Sequence, residues 1–152
     1  MNPIYLIENA AAQDIPALAD LLALLFGIEQ DFQPDLEKQK KGLALLISQP
    51  ENRVIKVAKN QQGEILGMVS AQLVISTAQG SPSAWIEDMV IQESHRGEGL
   101  GKSLLNAVLL WAKSKGATRA QLLVDTENKP ALRYYDHLGW ETTQLQARKI
   151  FI

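Results

Sequence analysis

Residues 96–105 constrain the fold more than any other stretch, because three alternating glycines there join a strand pattern to a helix pattern. Trp85 to Ile91 reads as a buried strand. From about Gly99 onward Leu100, Leu104, Val108, Leu109 and Trp111 recur at helical spacing, and Gly116 is placed to end that helix. A glycine-rich turn into a helix start leaves backbone N–H groups without intrahelical acceptors. The helix dipole adds roughly half a positive charge there. Glycines let a ligand approach the main chain with no Cβ in the way. Arg96 and Lys102 add full charges at the two ends. The physical reading is a cradle for a pyrophosphate.

Two common phosphate loops nearly fit and fail. The nucleotide-hydrolase loop G-x-x-x-x-G-K-[ST] finds its end in Gly101-Lys102-Ser103, but its first glycine would fall on Arg96. The dinucleotide fingerprint G-x-G-x-x-G finds its start in Gly97 and Gly99, but its last glycine would fall on Lys102. The pattern that fits is Arg-x-x-Gly-x-Gly, at Arg96, Gly99 and Gly101.

The rest of the chain predicts the elements around this unit. Ile4–Ile7 reads as a short strand. Asp14 is placed to cap a helix carrying Ile15, Leu18, Leu21, Leu22, Leu25 and Phe26, with Pro16 in its first turn and Gly27 weakening its end. A second helix is expected from Asp35 to about Ser48, stopped by Pro50. Then the period becomes strand-like. Val54–Ala58 and Ile65–Ile75 flank a polar turn at 60–63, which is a hairpin signal. Ala78–Ser83 reads as a loop and Ala120–Val124 as a strand. Asn128 is placed to cap a last helix bearing Ala131, Tyr134, Tyr135 and Leu138, which Gly139 ends, and a closing strand is expected near Leu145–Phe151. No repeat or linker interrupts 1–152, so one mixed α/β domain is expected.

Bulk properties narrow the function. The 15 basic and 17 acidic residues give a net charge of −2, which argues against nucleic acid as a partner. The absence of cysteine removes thiolate metal sites and a cysteine acyl-enzyme. His95 and His137 have no partner at metal-ligand spacing, so no metal is expected. The longest apolar stretch, 17–28, is too short to span a bilayer and contains Asp20; no membrane partner is expected. The first residues lack the basic start and apolar run of a secretion signal, and a cytoplasmic location is expected.

A second motif makes the pattern specific. After the strand ending at Val124 come Asn128 and then Ala131-x-x-Tyr134-Tyr135-x-x-x-Gly139-Trp140. Both motifs, in this order and with a helix and a strand between them, resemble the signatures of the GCN5-related N-acetyltransferase (GNAT) family. The resemblance covers about residues 50–152 by motif and 1–49 by element order. It implies a twisted mixed sheet with helices on both faces, whose two central strands part to admit acyl-CoA. It also implies that Met89, Val90 and Ile91 offer backbone groups to the pantetheine arm. Arg96, Gly97, Glu98, Gly99, Leu100, Gly101 and Lys102 would hold the pyrophosphate, with the Glu98 side chain turned to solvent. Asn128 would contact the pantetheine end.

The implied reaction is transfer of an acetyl group from acetyl-CoA to a primary amine of a small molecule, by direct attack in a ternary complex. Glu87 is the candidate base, or else a structural carboxylate. Asp88 should face the other way unless a bulge intervenes. Tyr135 is the candidate acid, with Tyr134 expected in the core. Phe26, Glu29, Asp31, Phe32 and Trp85 are candidates for the acceptor wall, where acidic and aromatic groups would suit a cationic amine. Other readings are acetylation of a protein or peptide N-terminus and a non-catalytic acyl-CoA sensor. Members of the family often dimerise, and a homodimer is among the expected partners.

Overall fold

The computed structural model describes residues 4–28 and 35–152. Its strands are β1 (Tyr5–Asn9), β2 (Arg53–Asn60), β3 (Ile65–Ser76), β4 (Ser81–Ile91) and β5 (Arg119–Leu122). They form one sheet in chain order, antiparallel except for the parallel pair β4–β5. That parallel pair needs a crossover, and helix α3 (Leu100–Ser114) supplies it.

The β2 side chains sort to opposite faces: Ile55 and Val57 to one, Val54 and Ala58 to the other. Helices α1 (Ile15–Ile28) and α2 (Leu36–Ile47) cover the first face through Leu18, Leu21, Leu22 and Leu43. Helix α3 covers the second through Leu100, Leu104, Leu105 and Val108. Helix α4 (Lys129–His137) joins that second face through Tyr135, with Leu138 and Trp140 just beyond it. The mixed sheet with helices on both faces is the expected architecture.

Several boundaries differ from the sequence reading. Strand β4 begins at Ser81, inside the expected loop, because Ser81, Pro82 and Ser83 pair with Ser76, Ile75 and Val74. Strand β5 stops at Leu122, two residues early, where β4 ceases to pair with it. Helix α1 runs through Gly27 to Ile28. The expected strand near Leu145–Phe151 is absent. A strand exists only through a ladder partner, and this segment has none among the described residues; Leu145, Ile150 and Phe151 are exposed.

Asp14 does not cap α1. It closes a short 3-10 turn, Ala12–Asp14, where its carboxylate accepts the Ala11 N–H at 2.8 Å. Lys59 reaches that carboxylate at 3.1 Å and Glu8 at 2.9 Å, which ties the α1 start to strands β1 and β2. Asp14 is only 7% exposed, so losing its cation would leave a buried carboxylate under-paired. Lys59→Met should therefore lower stability by about 1–3 kcal/mol, the usual cost of an unsatisfied buried group, read as an earlier denaturant midpoint. The bonds from Glu8, then Asp14, hold Lys59 above its ordinary 10.5. Its contribution is intact below that value and is lost as pH rises through the raised one. The gap between parent and variant should thus narrow above about pH 10.5; a constant gap would show that the ion pairs contribute nothing.

Candidate active site

The last paired residues of β4 and β5 are Ile86 and Leu122. Beyond them β4 continues to Ile91 against β3 alone. The central strands part, and a recess of about 90 Å³ opens between them. Glu87, Asp88 and Met89 line it from β4, Asp125 from beyond β5, Leu25 from α1 and Tyr135 from α4.

The parting coincides with a bulge. Met68 faces Val90 and Ser70 faces Glu87, so β4 carries one residue more than β3 across this interval. Asp88 takes φ 57°, a left-handed conformation that few non-glycine residues adopt. The buried Ser70 hydroxyl donates to the Glu87 carbonyl at 3.1 Å and steadies the irregular ladder. The bulge resets the alternation: Ile86, Met89 and Ile91 all lie on the α3 face, while Val90 lies on the α1 face. Simple alternation through Asp88 therefore does not hold.

Glu87 precedes the bulge. Its carboxylate is exposed and accepts the Trp85 indole N–H at 2.6 Å. Tyr135 is partly buried against the α3-face core, with its ring edge-on to Trp140 at 5.9 Å between centroids. Burial, and then the neighbouring Tyr134, push the Tyr135 hydroxyl up to about 12, so it keeps its proton at neutral pH. Tyr134 is not a core residue. It is 36% exposed, and its ring meets that of Tyr135 at 5.5 Å.

The glycine loop runs from the end of β4 into α3. Gly97 and Gly99 take φ 83° and 84°, where a Cβ would be strained. Gly99 is the N-cap and no side chain caps the helix. Ser103 makes the first helical bond, to the Gly99 carbonyl. The N–H groups of Leu100, Gly101 and Lys102 are left without intrahelical acceptors. Leu100 is itself buried and packs into the α3-face core. Arg96 Nε donates to the Ile91 carbonyl at 3.2 Å, which pins the loop to the strand end. Glu98 is turned onto His95, 3.3 Å away, and remains exposed. Gly101 packs closely: a Cβ there would stand 3.0 Å from the Tyr134 hydroxyl and 3.1 Å from Met89 Cε, so both side-chain ends would have to give by a few tenths of an ångström. Asn128 lines the recess, and its side-chain carbonyl caps α4 by accepting the Ala131 N–H at 3.2 Å.

The expected acceptor wall is only partly described. Phe26 is partly buried against the α1–α2 core, while its neighbour Leu25 reaches the recess. Glu29, Asp31 and Phe32 lie outside the described residues. Leu25, Asp88 and Asp125 line the recess but were not among the expected site residues; a carboxylate just past a strand end was the available signal for Asp125. A wider depression of about 580 Å³ lies near Glu51, Ile75 and Lys115, and none of the expected site residues lines it. Among the described residues no cluster of His, Asp or Glu could hold a metal, and no helix is long and apolar enough to cross a membrane.

The sequence pattern of the acetyltransferase (GNAT) family matches residues 16–140. An uncharacterised N-acetyltransferase of Methanocaldococcus jannaschii is 29% identical over 146 residues, 93% of this chain and 62% of that protein. A glucosamine 6-phosphate N-acetyltransferase of Trypanosoma brucei brucei is 36% identical over 89 residues, 57% of each chain. The chain thus spans about three fifths of the length of these relatives. A crystal structure of a Trypanosoma brucei acetyltransferase superposes with a TM-score of 0.76 at 26% identity, covering 97% of this chain and 99% of that one.

The crowding at Gly101 generates a direct test. Gly101→Val forces a branched side chain toward Tyr134 and Met89, at the helix start with its free N–H groups. Overpacking typically costs about 1–3 kcal/mol, so the denaturant midpoint should fall while the circular dichroism without denaturant stays native. Equilibrium unfolding reads this; an unchanged midpoint would show that Tyr134 and Met89 give way at no cost.

Proposed function

We propose that this chain, which belongs to the acetyltransferase (GNAT) family, transfers the acetyl group of acetyl-CoA to a primary amine of a small molecule, both bound at once. The observation that carries this reading is the convergence of Glu87 and Tyr135 on one recess where the central strands part.

The residues present fit the acyl donor. Its diphosphate matches the uncapped start of α3, the two left-handed glycines and the cations Arg96 and Lys102. Its pantetheine arm would run beside the backbone of Met89–Ile91, with the Asn128 amide at the recess. When bound, the donor supplies a thioester carbonyl as electrophile and a thiolate as leaving group.

The chain's own groups divide the proton work. The exposed Glu87 carboxylate would accept a proton from the acceptor amine, directly or through water. The protonated Tyr135 hydroxyl would donate to the departing sulfur. Such acid and base groups are worth about 10²–10⁴-fold each. A main-chain N–H near Met89 or Val90 would face the developing oxyanion. With no cysteine in the chain, direct attack needs no covalent enzyme intermediate.

The recess also points to the acceptor's charge. Glu87, Asp88 and Asp125 line it, and no lysine or arginine does among the described residues. The trypanosomal relative is named for a phosphorylated amino sugar. An acidic lining opposes a phosphate, so the acceptor here would be a cationic amine without one.

Thiol release from acetyl-CoA across an amine panel tests the reading. A polyamine should exceed an amino-sugar phosphate in kcat/KM by about tenfold or more, the value of one like-charge conflict of roughly 1.4 kcal/mol. Preference for the phosphorylated amine would overturn the acceptor class. Saturable coenzyme A binding with no turnover on any amine or peptide would make the chain an acyl-CoA-binding module.

Tyr135→Phe should lower kcat by at least about tenfold with little change in KM, because the lost donor acts in the transition state. Tyr134→Phe should keep near-parental kcat. The reverse pattern would assign the acid to Tyr134.

A further inference from the structure

We infer that Trp85 is a positioning residue for Glu87: its indole N–H holds one carboxylate oxygen in place at the edge of the recess. This rests on the reading of Glu87 as the base.

The geometry is direct. Trp85 Nε1 and Glu87 Oε1 are 2.6 Å apart, short even for a charge-assisted hydrogen bond. Two residues apart on a strand, the side chains share a face, and both lie before the bulge at Asp88. Trp85 is paired on both sides, with Gln72 of β3 and Gln121 of β5. Glu87 is paired on one side only, because the β4–β5 ladder has ended at Ile86. The donor thus stands on the firm part of the strand and the acceptor on the part that faces the recess.

An exposed glutamate has three rotatable side-chain bonds, so its carboxylate sweeps a wide volume unless something holds it. The indole removes much of that freedom and leaves the second oxygen, Oε2, for an amine or its water.

Trp85→Phe keeps an aromatic ring and removes the N–H. Without it the carboxylate can swing away from the recess, so the loss should fall chiefly on kcat rather than KM, by about tenfold. Coenzyme A affinity should be unchanged. The double variant Trp85→Phe/Glu87→Gln should match Glu87→Gln alone, because the indole acts only through the carboxylate. Parental kcat for Trp85→Phe, or a double variant clearly slower than Glu87→Gln alone, overturns the inference. Parental activity for Glu87→Gln instead overturns the assignment of the base. A second measurement is independent of how Trp85→Phe folds. In the 15N–1H spectrum of the parent, one of the three indole N–H signals should move when Glu87→Gln is introduced; three unmoved signals overturn the contact.

Discussion

The early end of the β4–β5 ladder is the constraint on which the rest of the structure depends. Had β5 stayed paired with β4 past Ile86 and Leu122, the backbone groups of 87–91 would face another strand, and the recess would be filled. The parting leaves backbone polar groups that need partners. On the β3 side, the Ser70 hydroxyl binds the Glu87 carbonyl where the bulge breaks the register. At the far end, Arg96 binds the Ile91 carbonyl as the chain leaves the strand. One irregularity thus opens the site, redirects the side chains after Asp88 and aims the glycine loop at the foot of α3.

The two walls of the recess are held unequally. Strand β4 is clamped between deep cores, with Ile86 packed on the α3 side and Val90 on the α1–α2 side. No residue of β5 or α4 is fully buried. Asn128 and the edge-on rings of Tyr134, Tyr135 and Trp140 hold α4 instead. Glu87 therefore stands on rigid scaffold, and Tyr135 stands on an element with few fully buried contacts, the kind that opens at lower free energy.

The parts of this arrangement readable from sequence were those written in short-range pattern. The glycine loop, the period change at residue 54 and the cap at Asn128 each follow from neighbours within a few residues. The lost closing strand shows the limit. Thr143 to Ile152 has strand-forming residues, yet a strand depends on a partner that local pattern does not supply. The bulge was equally hidden, because it is a mismatch between two strands far apart in sequence. Leu25 and Phe26 are adjacent on one helix, and periodicity did not say which would face the recess. The bond from Trp85 to Glu87 was legible as spacing, since i and i+2 share a strand face, but not as contact.

Residue type separates Glu87 and Tyr135 before environment does, because a phenol ordinarily ionises about six pH units above a carboxylate. Environment adds to the difference: Tyr135 is partly buried, and that burial raises its hydroxyl further. Glu87 is exposed, against an indole that only donates. The same strand parting produces both settings: it leaves Glu87 on an open edge and gives α4 a gap over which to lay Tyr135. With Tyr135 partly buried and Glu87 in the open, water reaches the carboxylate side of the recess more readily than the phenol side, so the two edges of one gap differ in polarity.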